Sequence, residues 1–339
     1  MRNCSYPSIL VLSLLLVPLS VQAHHSTAIY DTQQEITVEG VVTGLRWANP
    51  HVYIYLDQTT DSGEVVNWEI EGFGPWAMRK MGWSRDSITI GDTLTVKGNP
   101  ARNPRNKSLY PQTILYAGNT LFDGQQFFAQ ALSGVTPENA TDSLGGTWST
   151  LLAQSLIPFL VGEGEMDLTE EGVAAVARWD EQTMNPGISC TQLVAPPMMI
   201  MPDGKRITLG NETITIEGDY DGIVRTIHMD ITTHEGAAPS PQGHSIGRWE
   251  GDSLVIDTSH FSDHIMGNGW SVPSGSQKHL MERLTLNEDG KSLTYHFELM
   301  DPQYLASPIT GDTSWSWDPA LQFMVDECDL GNARRFLEH

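Results

Sequence analysis

Three histidines near the start of the chain have the residue types of a metal site. His24 and His25 follow Val21-Gln22-Ala23, a small-residue stretch typical of the end of an export signal. Cleavage after Ala23 would leave a free α-amino group on His24, and an amine beside an imidazole chelates Cu(II). We therefore predict a metal site, with copper as the expected ion, formed by His24, His25 and His51. The alternative is a frayed N-terminus and a His51 that only hydrogen-bonds to backbone.

A second group of histidines and acids lies between residues 228 and 279. An imidazole beside a carboxylate can transfer protons near neutral pH, so these residues have the composition of an acid–base site. His260 and His264 would share one face of a helical turn and could also bind a metal. Structural, hydrogen-bonded histidines are the alternative to both. The catalytic candidates are His228, His244 and Asp257, the metal candidates are His260, Asp263 and His264, and His279 could join them across the sheet.

Charge composition narrows the class of partner. The 339 residues include 42 Asp and Glu against 19 Lys and Arg, which gives a formal charge of −23. Such a negative field repels nucleic acid and anionic membranes, so we expect neither as a partner. The sequence also lacks a phosphate-binding loop, a dinucleotide fingerprint and zinc-finger spacing. We do not expect a serine hydrolase at Ser245.

The first 23 residues have the features of a secretory signal. Arg2 supplies the positive charge, Ile9 to Leu19 the apolar run, and residues 21–23 the cleavage box. The apolar run is too short to span a bilayer, and we expect no membrane span in the mature chain. We predict a periplasmic or secreted protein, cleaved between Ala23 and His24.

Cysteine usage fits an oxidising compartment. Cys4 would leave with the signal, so that Cys190 and Cys328 remain as an even pair. An even pair in an exported protein predicts a disulfide. Two separate buried thiols are the alternative.

Residues 24–118 predict a small barrel with OB-like order. Alternating and β-branched segments indicate three strands, a helix over residues 75–81, and two further strands. This is the order of an OB-type five-stranded barrel. Residues 119–147 are rich in Gly, Ser, Thr and Asn and predict a linker, with a short helix around residues 125–132.

Residues 148–339 predict a second, antiparallel β domain, either a barrel or a sandwich. Short apolar segments, among them Met198–Met201 and Gln322–Asp326, alternate with turn signals such as Pro-Asp-Gly. A closed barrel would have an interior suited to a small apolar ligand. Met198, Met199 and Met201 could line such an interior, although plain core is the alternative for these methionines.

Several motifs resemble two families of exported bacterial proteins without an established activity. His24-His25-Ser26, Trp47-Ala48-Asn49-Pro50-His51-Val52 and Gly82-Trp83-Ser84-Arg85-Asp86-Ser87 resemble an uncharacterised family of periplasmic domains. The stretch from Gly243 to Thr258, with Glu282-Arg283 and Asp301-Pro302, is similar to a second one. Where that family tends to read Gly-Phe-Asn-Asp, this chain has His260-Phe261-Ser262-Asp263, so any role of His260 is particular to this protein. The resemblance implies compartment and architecture rather than chemistry.

Together these features predict an exported, two-domain, mostly β protein. It would bind a metal through the mature N-terminal histidine, and a small ligand in its second domain. The arrangement of His24 with His51 looks like the histidine brace of copper-dependent polysaccharide monooxygenases and periplasmic copper-resistance proteins. The alternatives are an enzyme that uses a His- and Asp-lined cavity of the second domain, and a structural module of the cell envelope.

Overall fold

The computed structural model describes residues 29–126, 137–150, 166–220 and 222–335, and these residues form two closed β-barrels. The first barrel runs in the order β3-β2-β1-β4-β5, and a parallel pairing of β3 with β5 closes it. With the helix Pro75–Lys80 between β3 and β4, this is the connectivity of an OB-like barrel, which confirms the predicted fold class. The strands are β1 (Ile36–Arg46), β2 (Tyr53–Thr59), β3 (Val65–Glu71), β4 (Thr93–Pro100) and β5 (Ser108–Tyr116).

The core of the first barrel follows from the two-residue period of its strands. Along β1, Val38, Gly40 and Val42 are buried, while the residues that alternate with them are exposed. Gly40 lies between these two valines, and a Cβ there would stand 3.0 Å from the carbonyl oxygen of Asp57 on β2. Glycine at this position therefore allows β1 and β2 to approach where the barrel bends. A sixth strand, β6 (Asn119–Asp123), extends the sheet beyond β5.

The second barrel has nine described strands, in the order β10-β11-β12-β15-β16-β17-β7-β8-β9. All neighbours are antiparallel except β10 and β11, which pair in parallel over two residue pairs and close the barrel. The strands are β7 (Gly146–Thr150), β8 (Gly204–Leu209), β9 (Thr213–Gly218), β10 (Val224–His228), β11 (His244–Glu250), β12 (Ser253–Ser259), β15 (His279–Leu286), β16 (Ser292–Met300) and β17 (Ile309–Trp317). A separate hairpin consists of β13 (His264–Gly269) and β14 (Val272–Ser274).

Side chains fill the interior of this barrel. Trp148, Trp315 and Phe297 are fully buried within its apolar core. Arg225 and Glu282 form a buried ion pair beside them. The predicted apolar ligand therefore gains no support from this interior, and a ligand in the second domain stays a prediction.

Two predicted strands of the second domain are wrong. Met198–Met201 is mostly helix, because the helix Pro197–Ile200 begins with a proline at its first position, where the missing N–H costs nothing. Met198 and Met199 are buried in the core of the barrel. Gln322–Asp326 forms neither a helix nor a strand and pairs with no strand of the described chain.

The remaining helices are short and lie outside the barrel walls. Thr169 caps the first of them, since its hydroxyl accepts a hydrogen bond from the amide of Gly172. These short helices are Glu170–Ala177, Glu181–Met184 and Leu330–Ala333, with a 3-10 turn at Pro186–Ser189.

The predicted linker, residues 119–147, contains β6 and the start of β7. Most of the helix predicted near residue 125 lies outside the described residues.

The C-terminal segment, residues 318–335, joins the two barrels. The amide of Asn49 donates to the carbonyl of Glu327, and the carbonyl of Asn49 accepts from the amide of Asp329, both at 3.1 Å. Arg79 of the first barrel forms an ion pair with the buried carboxylate of Asp326. The Asn-Pro motif singled out in the sequence thus holds the C-terminal segment against the first barrel.

Cys190 and Cys328 form the predicted disulfide. Their sulfur atoms lie at bonding distance and their Cα atoms are 5.8 Å apart, which confirms the pairing. The bridge attaches the C-terminal segment to the loop that follows the 3-10 turn at Pro186–Ser189. Within the ranges that the structure describes, no helix has the length and apolar character needed to cross a membrane.

Candidate functional site

The strands of the second barrel bring histidines together on its outer face. His244 alternates with the buried Ser245 on β11, and Asp257 alternates with the buried Thr258 on β12, so both point away from the interior. His228 ends β10 and His279 begins β15, each next to a buried residue of its strand. Since β10, β11, β12 and β15 are consecutive neighbours in the barrel, these side chains lie within reach of one another.

A loop adds a further histidine that the sequence did not single out. Parallel pairing leaves the end of β10 beside the start of β11, so residues 229–243 must leave the sheet and return to it. A turn at His234, where the amide of Ala237 donates to the His234 carbonyl, places this ring over the outer face. The loop is anchored by Ser240, whose amide donates to the carbonyl of His260 at 3.0 Å. We call the resulting group of side chains the histidine cluster: His228, His234, His244, Asp257, His260 and His279.

A chain of hydrogen bonds runs through the histidine cluster. The Nδ1 atoms of His234 and His244 are 2.9 Å apart. The Nε2 atom of His234 lies 3.3 Å from the Asp257 carboxylate, and the Nε2 atom of His279 lies 2.7 Å from the same oxygen. If the two Nε2 atoms donate to Asp257, Nδ1 of His234 is an acceptor and Nδ1 of His244 donates to it. Each histidine of the chain can then be neutral.

Two more imidazoles pack against this chain. The ring of His228 stacks on that of His244, with centroids 4.9 Å apart, and the ring of His260 stacks on that of His234 at 5.8 Å. His260 has a φ of 58°, a left-handed conformation that favours glycine and costs a branched or bulky residue about 1–2 kcal/mol. A histidine at this position therefore joins the cluster at a cost in backbone energy.

The environment of the histidine cluster favours the neutral form of His244. Burial lowers the pKa of His244, and the neighbouring rings of His228, His234 and His260 lower it further. A neutral imidazole has a free lone pair, which both a proton acceptor and a metal ligand require. With Nδ1 of His244 donating to His234, that lone pair is on Nε2.

The spacing of the His234–His244 pair fits a metal ion in place of the shared proton. Two nitrogens bound at about 2.0–2.1 Å and at right angles are about 2.9 Å apart, which is the distance observed between the two Nδ1 atoms. Asp257 would then orient His234 through its other nitrogen, as carboxylates commonly do for metal-bound histidines. In the arrangement of the described residues, no group of three potential ligands converges on one point. A third ligand therefore requires His228 or His260 to rotate toward the pair.

The same residues could transfer a proton along the outer face. One oxygen of the Asp257 carboxylate lies within hydrogen-bond distance of two imidazoles, those of His234 and His279, and so connects them. The histidine cluster lies on the open outer face of the barrel, and an open face does not exclude water from a reaction.

 The side chains of His279 and Asp257 are 34% and 35% exposed. A proton transfer between them would therefore take place in contact with water. Metal binding therefore suits the cluster better than catalysis does.

The other predicted members of this group lie elsewhere. The helical turn assumed for His260 and His264 is wrong, because His264 begins β13. Nδ1 of His264 accepts from the amide of Met266, and Nε2 lies 3.0 Å from the carbonyl of Gln192. Burial lowers the pKa of His264. With both ring nitrogens engaged, His264 is a structural histidine, and Asp263 stays outside the hydrogen-bond chain.

The sequence Gly243-His244-Ser245-Ile246-Gly247 has the Gly-x-Ser-x-Gly spacing of a nucleophile elbow, but not its structure. Ser245 lies within β11 and is 1% exposed. Its hydroxyl faces the barrel interior, where it contacts Thr258 at 2.9 Å and Arg225 at 3.2 Å. The serine of a nucleophile elbow instead stands on an exposed turn between a strand and a helix. Ser245 therefore does not form such an elbow.

His51 occupies a different part of the molecule, in the first barrel. Its Nδ1 lies 3.0 Å from the carbonyl of Gly72 and 3.1 Å from the carboxylate of Glu71. Burial opposes the charged imidazole, but the Glu71 carboxylate and the Gly72 carbonyl outweigh that effect and raise the pKa of His51. Nδ1 donates to these oxygens, and only the neutral ring, which forms above this raised pKa, has a lone pair on Nε2. His24 and His25 lie outside the described residues.

Residues 13–110 match the model of a family of unknown function, DUF6152. The match spans the first barrel as far as the start of β5 and includes none of the second barrel. No curated protein matches the chain.

Proposed function

We propose that the protein is an exported, periplasmic protein that binds a transition metal, and that the histidine cluster is a binding site. The observation that carries this proposal is the 2.9 Å separation of the Nδ1 atoms of His234 and His244, which suits two adjacent ligands of one ion. As part of the same proposal, the chain joins one domain from each of the two exported families that its sequence motifs resemble.

Copper is the ion that the ligand chemistry favours. Imidazole nitrogens bind Cu, Zn and Ni, and among divalent first-row ions Cu(II) binds a given nitrogen site most strongly. An ion bound to both Nδ1 atoms at this separation would need an N–metal–N angle near a right angle, which suits the tetragonal geometry of Cu(II) better than that of a tetrahedral ion. The formal charge of −23 would raise the local concentration of cations.

Replacing His234 or His244 by glutamine should weaken Cu(II) binding to the mature protein by more than ten-fold. Each variant removes one proposed ligand and keeps a polar side chain of similar length. Asp257→Asn should cost about 10–100-fold, because it removes the partner that orients His234. Isothermal titration with Cu(II), and with Zn(II) for comparison, measures these affinities.

His296→Gln is the matched control for these variants. His296 forms an exposed pair with Asp312 on β16 and β17, with 2.8 Å between Nδ1 and the carboxylate, and has no part in the cluster. Its replacement should leave the affinity unchanged. Unaltered Cu(II) binding in both His234→Gln and His244→Gln would refute the proposed site.

A second candidate site is the N-terminal histidine brace predicted from the sequence. Tyr30, the second of the described residues, donates its hydroxyl to Glu71 at 2.7 Å, and Glu71 is the carboxylate that contacts His51. Tyr30 and His51 therefore share one carboxylate. In a brace, Glu71 would fix Nδ1 of His51 and leave Nε2 for a metal.

The brace predicts that an added residue before His24 weakens Cu(II) binding more than ten-fold, as does His51→Gln. The extension removes the terminal amine from His24, and the substitution removes an imidazole ligand. Mass spectrometry of the exported protein first establishes whether His24 is its first residue. Because the histidine cluster does not use the amine, its affinity should be insensitive to the extension, and the two sites can be tested separately.

A further inference from the structure

A groove lies between the first barrel and the C-terminal segment. Its volume is about 810 Å³, within the range of small-molecule sites. One wall is formed by the helix Pro75–Lys80 and the residues after it, and the other by residues 318–324. The groove therefore exists only where the two parts of the chain meet.

Three cations line the groove of a strongly acidic protein. They are Arg79, Lys80 and Arg85, and the carboxylates of Asp86 and Asp318 accompany them. Arg79 is already engaged by Asp326. Arg85 lies 3.4 Å from the same carboxylate, but its side chain is 62% exposed, so most of its donors face solvent.

Lys80 is the least compensated of these cations. Its ammonium lies over the ring of Trp76, 4.7 Å from the centroid. Within the described part of the chain, no carboxylate forms an ion pair with it, and burial lowers the pKa of Lys80. The Trp76 Nε1 atom beside it is buried without a hydrogen-bond partner. Both groups would gain from an acceptor bound nearby.

We propose that this groove binds a small organic anion with a flat apolar body. The carboxylate would pair with Lys80 and Arg85, and the apolar body would pack against Trp47, Trp76 and Trp83, which line the groove. An aromatic carboxylate has both features. The site is independent of the metal sites proposed above.

Benzoate is the probe, with benzamide as the neutral analogue of the same shape. Isothermal titration of the mature protein should detect benzoate binding that is stronger than benzamide binding. Lys80→Met and Arg85→Met should each weaken benzoate binding by about ten-fold or more, since each removes a charge-assisted hydrogen bond. Neither variant should alter the affinity for benzamide by a comparable factor.

Lys107→Met is the matched control. Lys107 also lies over a tryptophan of the first barrel, Trp68, at 5.9 Å, but away from the groove. Its replacement should leave benzoate binding unchanged. The proposal is overturned if benzoate does not bind at millimolar concentration, if Lys80→Met and Arg85→Met bind it as the wild type does, or if Lys107→Met weakens it equally.

Discussion

Replacing Arg225 by methionine should lower the free energy of unfolding by about 3–5 kcal/mol, because it leaves a buried carboxylate without its cation. Arg225 and Glu282 are 1% and 0% exposed in the interior of the second barrel. The guanidinium donates to Glu282 at 2.8 Å and to the hydroxyl of Thr258 at 2.7 Å. Burial opposes its charge, but the Glu282 carboxylate outweighs that effect and raises the pKa of Arg225. Chemical denaturation monitored by circular dichroism measures the loss.

The double variant Arg225→Met/Glu282→Leu separates the cost of an unpaired buried charge from the cost of altered packing. Removing both partners should recover most of the loss, since well-packed apolar residues often replace a buried ion pair at little cost. Arg206→Met is the control, because Arg206 forms a similar two-point pair with Glu217 on β8 and β9 but is 42% exposed. Its loss should stay at or below about 1 kcal/mol. Equal losses for Arg225→Met and Arg206→Met would contradict the argument.

The pH dependence of the Arg225→Met variant provides a further check. Without the guanidinium, burial should raise the pKa of Glu282 in the folded state above that of the unfolded chain. The folded variant then holds a proton that the unfolded chain releases, so its stability falls as pH rises through this interval. The difference from wild type should accordingly be smaller at pH 5 than at pH 8.

Strand order in the first barrel was predictable because its strands follow a clear alternation. Val38 and Val42 on β1 show the two-residue period, and the helix after β3 begins at a proline.

The strands of the second barrel were harder to predict from the sequence. β17 has the sequence Ile-Thr-Gly-Asp-Thr-Ser-Trp-Ser-Trp, in which the alternating buried positions are Gly311, Thr313 and Trp315, and Ser316 is buried as well. Small and polar residues at inward positions conceal the alternation from a sequence pattern.

The histidine cluster was predictable only in part. His228, His244, Asp257, His260 and His279 were recognised by residue type, but their meeting depends on the register of four strands. His234 had no such signal, because it lies in a polar loop without periodicity. The position of His234 follows from the parallel pairing of β10 with β11. The turn signals in the sequence predict only antiparallel strands and give no indication of this parallel pair.

Replacing Cys190 and Cys328 together by alanine should lower the free energy of unfolding by up to about 5 kcal/mol. The bridge closes a loop with a sequence separation of 138 residues, and the chain-entropy model gives about 5 kcal/mol for a loop of this length. The bridge also holds the C-terminal segment where Asn49 of the first barrel pairs with Cys328. Denaturation of the wild type and the double variant, with and without a reductant, measures the effect.

Reduction provides the control, because it should destabilise the wild type and leave the double alanine variant unchanged. Hydrogen exchange then tests the structural part of the argument. The amides of Asn49 and Asp329, which bond across the junction at 3.1 Å, should exchange faster in the variant than amides in the centre of β1, since the junction loses its covalent anchor while the barrel keeps its own pairing. If the junction amides keep their protection and the stability changes by less than about 1 kcal/mol, the ion pair of Arg79 with Asp326 and the backbone pairing at Asn49 hold the C-terminal segment without the disulfide.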